Sequence, residues 1–166
     1  MMTSDVLVTA IQSKLIEQNK WLAVAESCTG GLVSDLITNT PGATKFFLGG
    51  VICYANEIKN NILAVKLQTM INFGAVSQQT VEEMSSGIRN LFCSTQHPKE
   101  SIIGLAVTGI SGPGGGTVDK PVGLVWISLE SNRGKLSQHF QWHGSRQENK
   151  LETAEMALRM LLDHIE

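Results

Sequence analysis

The chain has 166 residues, of which 42% are hydrophobic and 17% are charged, and its formal net charge at pH 7 is -2. This balance is that of an ordinary globular protein and excludes a disordered chain, and the small negative charge gives no general attraction to nucleic acid or to an anionic membrane. No window is apolar over the roughly 18 residues that a membrane span needs, and the first residues lack the pattern of a secretory signal. We therefore expect a cytoplasmic protein with a single domain over residues 1–166.

The three cysteines are widely spaced, and the four histidines are few. No pair of cysteines has the spacing of a metal or redox motif, so reduced thiols are expected. His139 and His143 form the close pair, but on a strand they would lie about 13 Å apart, which is too far to chelate one ion. The sequence therefore predicts neither a metal nor a cofactor.

Helices and strands are predicted to alternate along the first half of the chain. Apolar residues spaced by three and four indicate helices, and short apolar runs indicate buried strands. Ser4 or Asp5 and Asn56 are candidate helix caps. In chain order the predicted segments are a helix at 5–20, a strand at 21–25, a helix at 29–39, a strand at 46–54, and helices at 56–65 and 77–92.

The second half is predicted to contain three strands and a closing helix. Residues 101–109 and 122–130 are too apolar for a strand with one wet face, so helices should cover both sides of their sheet. In residues 135–143 polar and apolar side chains alternate more regularly, which suggests a more exposed, antiparallel strand. A hairpin through Asn132, Arg133 and Gly134 would join it to the preceding strand. A helix follows at 145–165. This order predicts a three-layer α/β/α domain with a mixed, mostly parallel sheet.

The segment AESCTGG, residues 25–31, lies where a predicted strand becomes a helix. Ser27 would stand at or just before the helix start, with the amides of Thr29 and Gly30 as candidate donors to an anion or oxyanion. Gly30 and Gly31 would let a ligand approach the backbone closely. The simpler alternative is that Ser27 or Thr29 only caps the helix.

A second glycine-rich segment, TGISGPGGG, runs from Thr108 to Gly116 and contains five glycines in nine residues. It matches neither the P-loop pattern nor the dinucleotide-binding pattern. We interpret it as a cradle for a ligand, and the alternative is a plain flexible loop.

A serine nucleophile needs a base, and the sequence contains no G-x-S-x-G or S-x-x-K motif. The candidate base is Lys59, just after the strand that ends at Tyr54. A free lysine has a pKa of about 10.4, and lowering it by three units takes about 4 kcal/mol. Burial and a nearby helix end could supply this energy. Otherwise Lys59 is a solvated helix residue.

Five separated motifs resemble the C-terminal domain of the CinA (competence/damage-inducible protein) family. They are AESCTGG, PGATKFFLGGVICYANEIK, GAVS, AVTGISGPGGGT and KPVGLVWI, in this order. Stand-alone members of that family are nicotinamide-nucleotide amidases. The resemblance implies hydrolysis of nicotinamide mononucleotide to nicotinate mononucleotide and ammonia, with no cofactor. It also implies that the protein is a homodimer. The expected binding partner is a small pyridine nucleotide, not nucleic acid or a membrane.

Carried over by position, the resemblance implies that Ser27 attacks the carboxamide, that neutral Lys59 takes its proton and that Tyr54 assists. Substrate-binding roles fall on Thr29, Gly30, Gly31, Thr44, Thr108, Gly109, Gly112, Gly114, Gly115 and Arg146. Arginine suits a phosphate because its fork can donate two parallel hydrogen bonds.

The chain departs from the family pattern at four positions. Thr44 stands where a serine is usual, and Ser111 where an alanine is usual. Ser145 replaces an acidic residue, and Lys150 replaces a second arginine, which keeps the charge but loses the fork. Two other hypotheses are a hydrolase with Cys28 as nucleophile and a non-catalytic domain that binds a ligand or regulates.

Overall fold

The computed structural model describes residues 3–166, which form six α-helices and five strands. The helices are α1 (Ser4–Glu17), α2 (Leu32–Thr38), α3 (Asn56–Leu63), α4 (Leu67–Phe73), α5 (Gln78–Leu91) and α6 (Arg146–Ile165). The strands are β1 (Trp21–Glu26), β2 (Phe47–Ile52), β3 (Ile102–Gly109), β4 (Leu124–Ser131) and β5 (Gly134–Gln141). Two short 3-10 turns lie at Ala43–Lys45 and Lys99–Ser101.

The five strands form one mixed sheet in the order β2-β1-β3-β4-β5. Strand β1 is parallel to both of its neighbours, whereas β4 is antiparallel to β3 and to β5. Four of the five strands therefore run in one direction, and only β4 opposes them. The predicted mixed sheet and the predicted hairpin between β4 and β5 are confirmed.

Helices cover both faces of the sheet, which confirms the three layers. Helices α1, α2 and α6 pack on one face, and the other face is covered mainly by α3 and α5. In β1, Leu22 and Val24 point to the first face, and Ala23 and Ala25 point to the second. Because both faces are buried, this strand is a continuous apolar run rather than an alternating one.

The structure differs from the sequence prediction at α2, α3 and α4. Helix α2 begins at Leu32 and not at Thr29, because Gly30 and Gly31 have φ angles of 64° and 102°, in the left-handed region. Ser27 therefore lies on a turn and not at the helix start. Helix α4 was not predicted at all, and the candidate cap Asn56 is the first helical residue, preceded by Ala55 at the cap position.

The carboxyl ends of three parallel strands meet at one edge of the sheet. The Cys53 amide, just after β2, donates to the Glu26 carbonyl at the end of β1 at 2.8 Å. The Ser27 amide donates to the Val107 carbonyl of β3 at 3.1 Å. The loops that follow β1, β2 and β3 are consequently neighbours, which is the usual place for a ligand site in such folds.

Helix α4 carries an exposed apolar surface. Leu67 and Ile71, one turn apart, are 58% and 75% exposed. The homodimer expected from the family resemblance stays a prediction.

Among the helices of residues 3–166, none is long and apolar enough to cross a membrane.

Gly87 lets α5 approach α3, the helix that carries Lys59. A Cβ atom at Gly87 would lie 2.0 Å from the Leu63 carbonyl oxygen at the end of α3. Because that atom belongs to the backbone, a side chain at Gly87 can be accommodated only if one helix moves. The glycine thus fixes the position of α3 against the rest of the fold.

We expect Gly87→Ala to destabilise the protein, although alanine is the better helix former by about 1 kcal/mol. Overpacking typically costs 1–3 kcal/mol, and the clash with a backbone atom places Gly87→Ala in the upper half of that range, so a net loss of about 1–2 kcal/mol should appear in urea unfolding. Gln79→Ala, an exposed position in the same helix, is the control and should stay within about 0.5 kcal/mol of the parent. A Gly87→Ala variant as stable as the parent would contradict this contact.

Candidate active site

Ser27 stands on a tight turn directly after β1. Its amide is bound to β3, and its carbonyl accepts a hydrogen bond from the Gly30 amide at 3.2 Å, which closes the turn. The side chain of Ser27 faces a cavity, although the residue as a whole is only 7% exposed. The hydroxyl is therefore held in one place and is reachable through the cavity.

Lys59 reaches Ser27 from the first turn of α3. Its Nζ lies 3.1 Å from Ser27 Oγ and donates to the carbonyls of Cys53 and Tyr54 at 2.8 Å and 3.2 Å. The residue is 1% exposed. Strand β2 ends beside β1, so the chain can bring Lys59 to Ser27 although 32 positions separate them.

Burial lowers the pKa of Lys59 below its ordinary value, and the nearby thiols of Cys53 and Cys28 oppose this only in part. A neutral amine has two hydrogens and one lone pair. The two carbonyls match the two hydrogens, which leaves the lone pair for the Ser27 hydroxyl. The site can therefore hold a lysine that accepts a proton from serine.

The cavity above this pair has a volume of about 190 Å³. The loops after β1, β2 and β3 form most of its wall, together with the segment before α5 and the start of α6. The lining residues are Ser27, Cys28, Tyr54, Asn56, Lys59, Ala75, Val76, Thr108, Gly109, Ser111 and Arg146.

Arg146 lies at the mouth of the cavity, as the first residue of α6. Its guanidinium donates to the Gly112 carbonyl at 2.7 Å and to the Tyr54 hydroxyl at 2.9 Å. Tyr54 thus connects two parts of the site, since its own carbonyl accepts from Lys59. Ser145, which replaces an acidic residue, caps α6 by accepting from the Glu148 amide.

Six of the residues predicted for the site line the cavity together: Ser27, Lys59, Tyr54, Thr108, Gly109 and Arg146. Thr108 Oγ1 donates to the Ala75 carbonyl at 2.9 Å, which ties β3 to the segment before α5. Gly112 contributes only through its carbonyl, which holds Arg146. Gly114 and Gly115 are exposed and lie outside the lining of the cavity, so a binding role there receives no support.

The turn residues lie beneath or beside the cavity. The Thr29 hydroxyl and the Gly31 amide both donate to the Glu26 carboxylate, and the Gly30 amide is used within the turn. Gly30 is exposed, and a Cβ there would lie 3.6 Å from Lys150 Nζ. The predicted oxyanion donor Gly30 is therefore corrected, because its amide hydrogen is already bound.

Thr44 is also corrected, because it lies at the opposite edge of the sheet. It precedes β2, and β2 is parallel to β1, with Phe47 beside Leu22 and Ile52 beside Glu26. The start of a parallel strand cannot meet the end of its neighbour. Thr44 is therefore separated from the cavity by the length of β2.

The glycine-rich segment is tied down at both ends. The Gly123 amide donates to the Ile110 carbonyl at 2.7 Å, and the Thr117 amide donates to the Lys120 carbonyl at 2.8 Å. The Lys120 ammonium donates to the carbonyls of Phe73 and Val76, the latter at 2.7 Å. The wall of the cavity is therefore held, and the segment is more than a plain flexible loop.

Sequence reasoning missed Glu26, although it lies within AESCTGG. Its buried carboxylate accepts five hydrogen bonds from the turn and from the start of α2. The available signal was an acidic residue at the end of an apolar strand, followed by Thr29 and Ser34. It also missed Asn56, Ala75, Val76 and Ser111 as lining residues.

The two buried thiols are poor nucleophiles. Burial raises the pKa of Cys28 to about 12 and the pKa of Cys53 to about 11. Since the thiolate is the reactive form, both groups are protonated near neutral pH. These values oppose the hypothesis that Cys28 performs the attack. Within residues 3–166, no cluster of three or more His, Cys, Asp or Glu side chains could hold a metal ion.

The family model of the CinA C-terminal domain matches residues 4–165. The chain belongs to this family. A CinA-like protein of Thermotoga neapolitana is 43% identical over 165 residues, covering 99% of this chain and 38% of the relative. A CinA-like protein of Amoebophilus asiaticus is 40% identical over 158 residues, covering 95% of this chain and 36% of the relative. The chain thus spans well under half the length of the curated relatives it matches.

Solved structures of the CinA superfamily have the same fold. A CinA superfamily protein from Klebsiella pneumoniae has a TM-score of 0.90 and 28% identity, with 99% of this chain and 98% of that chain covered. A competence/damage-inducible protein from Agrobacterium tumefaciens has a TM-score of 0.88 and 32% identity, with 98% of each chain covered. The CinA-family membership inferred from the motifs is confirmed.

We expect iodoacetamide at pH 8 to alkylate Cys93 in the native protein and to leave Cys28 and Cys53 unmodified. Cys93 is exposed, whereas the other two are buried. Intact-mass measurement should show a single adduct, which disappears in Cys93→Ser. Unfolding that variant in urea should expose both remaining thiols. Fast alkylation of Cys28 in the native protein would instead support a reactive thiol.

Proposed function

We propose that this CinA-family domain is a nicotinamide-nucleotide amidase, which hydrolyses the carboxamide of nicotinamide mononucleotide to nicotinate mononucleotide and ammonia. The observation that carries the proposal is the buried pair of Ser27 and Lys59, with Nζ 3.1 Å from Oγ at the floor of a cavity. A serine with an adjacent neutral base is a nucleophile suited to acyl transfer.

In the first half of the reaction, Ser27 Oγ attacks the carboxamide carbon while its proton passes to Lys59 Nζ. The tetrahedral intermediate then collapses, and Lys59 gives this proton to the leaving nitrogen, which departs as ammonia. In the second half, Lys59 takes a proton from water as the water attacks the acyl group. Returning that proton to Ser27 Oγ releases the carboxylic acid and restores the pair.

The oxyanion of the intermediate needs hydrogen-bond donors beside Ser27. The amides of Cys28 and Thr29 donate to no acceptor within residues 3–166, whereas those of Gly30 and Gly31 are already engaged. We therefore assign the oxyanion to the Cys28 and Thr29 amides. This keeps Thr29 from the sequence prediction and replaces Gly30.

The cavity suits the pyridine carboxamide better than a whole nucleotide. Sites for drug-sized ligands run from roughly 300 to 1,000 Å³, and this cavity holds about 190 Å³. Ala75 and Val76 supply an apolar wall for the ring. The ribose and phosphate would then extend past the mouth toward Arg146.

The phosphate would be bound by cations at the mouth. Arg146 uses two of its five donors on Gly112 and Tyr54, so three remain for a ligand. Lys150 lies one turn further along α6, and its ammonium stands beside the turn at Gly30. Lysine supplies charge but not the paired geometry of arginine, so Arg146 carries most of the recognition.

We expect the purified protein to release ammonia from nicotinamide mononucleotide and expect Ser27→Ala to lower kcat by at least about 10³-fold, because the nucleophile is lost. Lys59→Met should lower kcat by about 10² to 10⁴-fold at neutral pH, because the proton has no acceptor. Ammonia and nicotinate mononucleotide are measured together. Ser13→Ala, an exposed serine on α1, is the control and should keep full activity.

Two outcomes would contradict this mechanism. Full turnover in Ser27→Ala would exclude Ser27 as the nucleophile. If the parent protein binds the nucleotide but releases no ammonia, the hypothesis of a non-catalytic domain is favoured. The pH profile gives a separate check. Because burial lowers the pKa of Lys59, kcat/KM should rise with pH and reach half its maximum below pH 10.4.

Arg146→Ala should lower kcat/KM for the mononucleotide by about 10 to 100-fold, as expected for losing charge-assisted bonds worth roughly 1.5–3 kcal/mol. The unphosphorylated riboside should be affected by less than about threefold, since it has no phosphate for arginine to bind. Steady-state kinetics on both substrates gives the comparison. Arg159→Ala, further along α6, is the control. Equal losses on both substrates would exclude a phosphate role for Arg146.

A further inference from the structure

Glu26 is the last residue of β1, directly before Ser27, and it is 1% exposed. Among the ion pairs of residues 3–166, none involves its carboxylate. A buried carboxylate without a cation is costly unless hydrogen bonds replace its water. The hydrogen bonds that Glu26 accepts therefore replace the water that burial removes.

The two carboxylate oxygens of Glu26 bind two different parts of the chain. Oε2 accepts from the Thr29 hydroxyl at 2.7 Å, the Gly31 amide at 2.9 Å and the Val33 amide at 3.1 Å. Oε1 accepts from the amide and the hydroxyl of Ser34, at 2.9 Å and 2.7 Å. Glu26 thus satisfies free amides at the start of α2 and also holds the turn that contains Ser27.

A helix cap alone accounts for the bonds to Val33 and Ser34 but not for those to Thr29 and Gly31. The latter two residues lie in the turn, whose first residue is the nucleophile. The Ser27 amide, the Thr29 hydroxyl and the Gly31 amide hold the turn, and the backbone amides of Cys28 and Thr29 within it are free. The carboxylate therefore restrains the same few residues that must keep their place during the attack.

We propose that Glu26 is a positioning residue for the amidase reaction. Its carboxylate fixes the turn that contains Ser27, so that the Ser27 hydroxyl faces Lys59. The same restraint keeps the Cys28 and Thr29 amides directed at the oxyanion. This rests on the proposed function of the Ser27 and Lys59 pair. Misplacement of a reacting group by about 1 Å can cost a factor of 10² in rate, so a small loosening of the turn is sufficient to matter.

The test measures the reactivity of Ser27 without relying on the natural substrate. A fluorophosphonate probe reacts with an activated serine: the bond from Oγ to phosphorus forms, fluoride leaves, and the hydroxyl proton passes to Lys59. Intact mass gives the labelling rate, and Ser27→Ala gives the background. The kcat and KM for nicotinamide mononucleotide are measured on the same samples.

Glu26→Gln keeps the shape of the side chain but places an NH2 group where one oxygen accepted hydrogen bonds. We expect labelling and kcat to fall by about 10-fold or more, with KM within about twofold of the parent. Thr29→Val and Ser34→Ala form a matched pair, because each removes one hydroxyl bond of 2.7 Å to the same carboxylate. Both should lower Tm, but only Thr29→Val should slow labelling.

Three results would overturn the proposal in distinguishable ways. Folded Glu26→Gln labelled at the parental rate would show that the carboxylate only stabilises the fold. Equal labelling rates in Thr29→Val and Ser34→Ala would do the same even if Glu26→Gln did not fold. If the parent protein neither reacts with the probe nor releases ammonia, Ser27 is not an activated nucleophile, and the proposed function is contradicted as well.

Discussion

The structure depends on burying the amine of Lys59, a residue that is only 1% exposed. Lys59 can be buried because two backbone carbonyls and the Ser27 hydroxyl surround its nitrogen, and these groups come from the ends of β1 and β2. An amine in such surroundings loses more by being charged than it would in water, which is what a base near neutral pH requires. The parallel pairing of the two strands and the close packing of α3 on α5 both serve this one contact.

A second buried ionisable group, Glu26, lies on the other side of Ser27 and is stabilised differently. Burial lowers the pKa of Lys59, whereas the buried Glu26 carboxylate accepts five hydrogen bonds in place of water. In the proposed mechanism Ser27 therefore stands between Lys59, the proposed base, and Glu26, which binds the backbone of the turn. At the mouth of the cavity, Arg146 and Lys150 can meet an anionic ligand without being fully buried.

The sequence predicts the sheet and its two covered faces, because long apolar runs such as those of β1 and β3 can only be buried on both sides. It also brings Ser27 and Lys59 into one hypothesis, since both follow strands whose ends share an edge. Glu26 was missed because a buried carboxylate contradicts the expectation that acidic residues face water. Thr44 was misplaced because a motif gives the order of residues but not the sheet edge at which they lie. Helix α4 was too short for its periodicity to be distinguished.

Hydrogen bonds hold some parts of the glycine-rich segment and leave others unbound, so its positions differ in how well they tolerate substitution. Hydrogen bonds hold residues 110 and 123 together and close the turn from 117 to 120, and the Gly112 carbonyl is bound by Arg146. The untied stretch is 113–116, which is exposed and forms no part of the cavity wall. A Cβ at Gly114 would meet no atom within 4 Å. Side chains can therefore appear at Gly114 during evolution without disturbing Gly109 and Ser111 in the cavity wall, whereas a Cβ at Gly116 would lie 2.7 Å from the Val122 amide nitrogen.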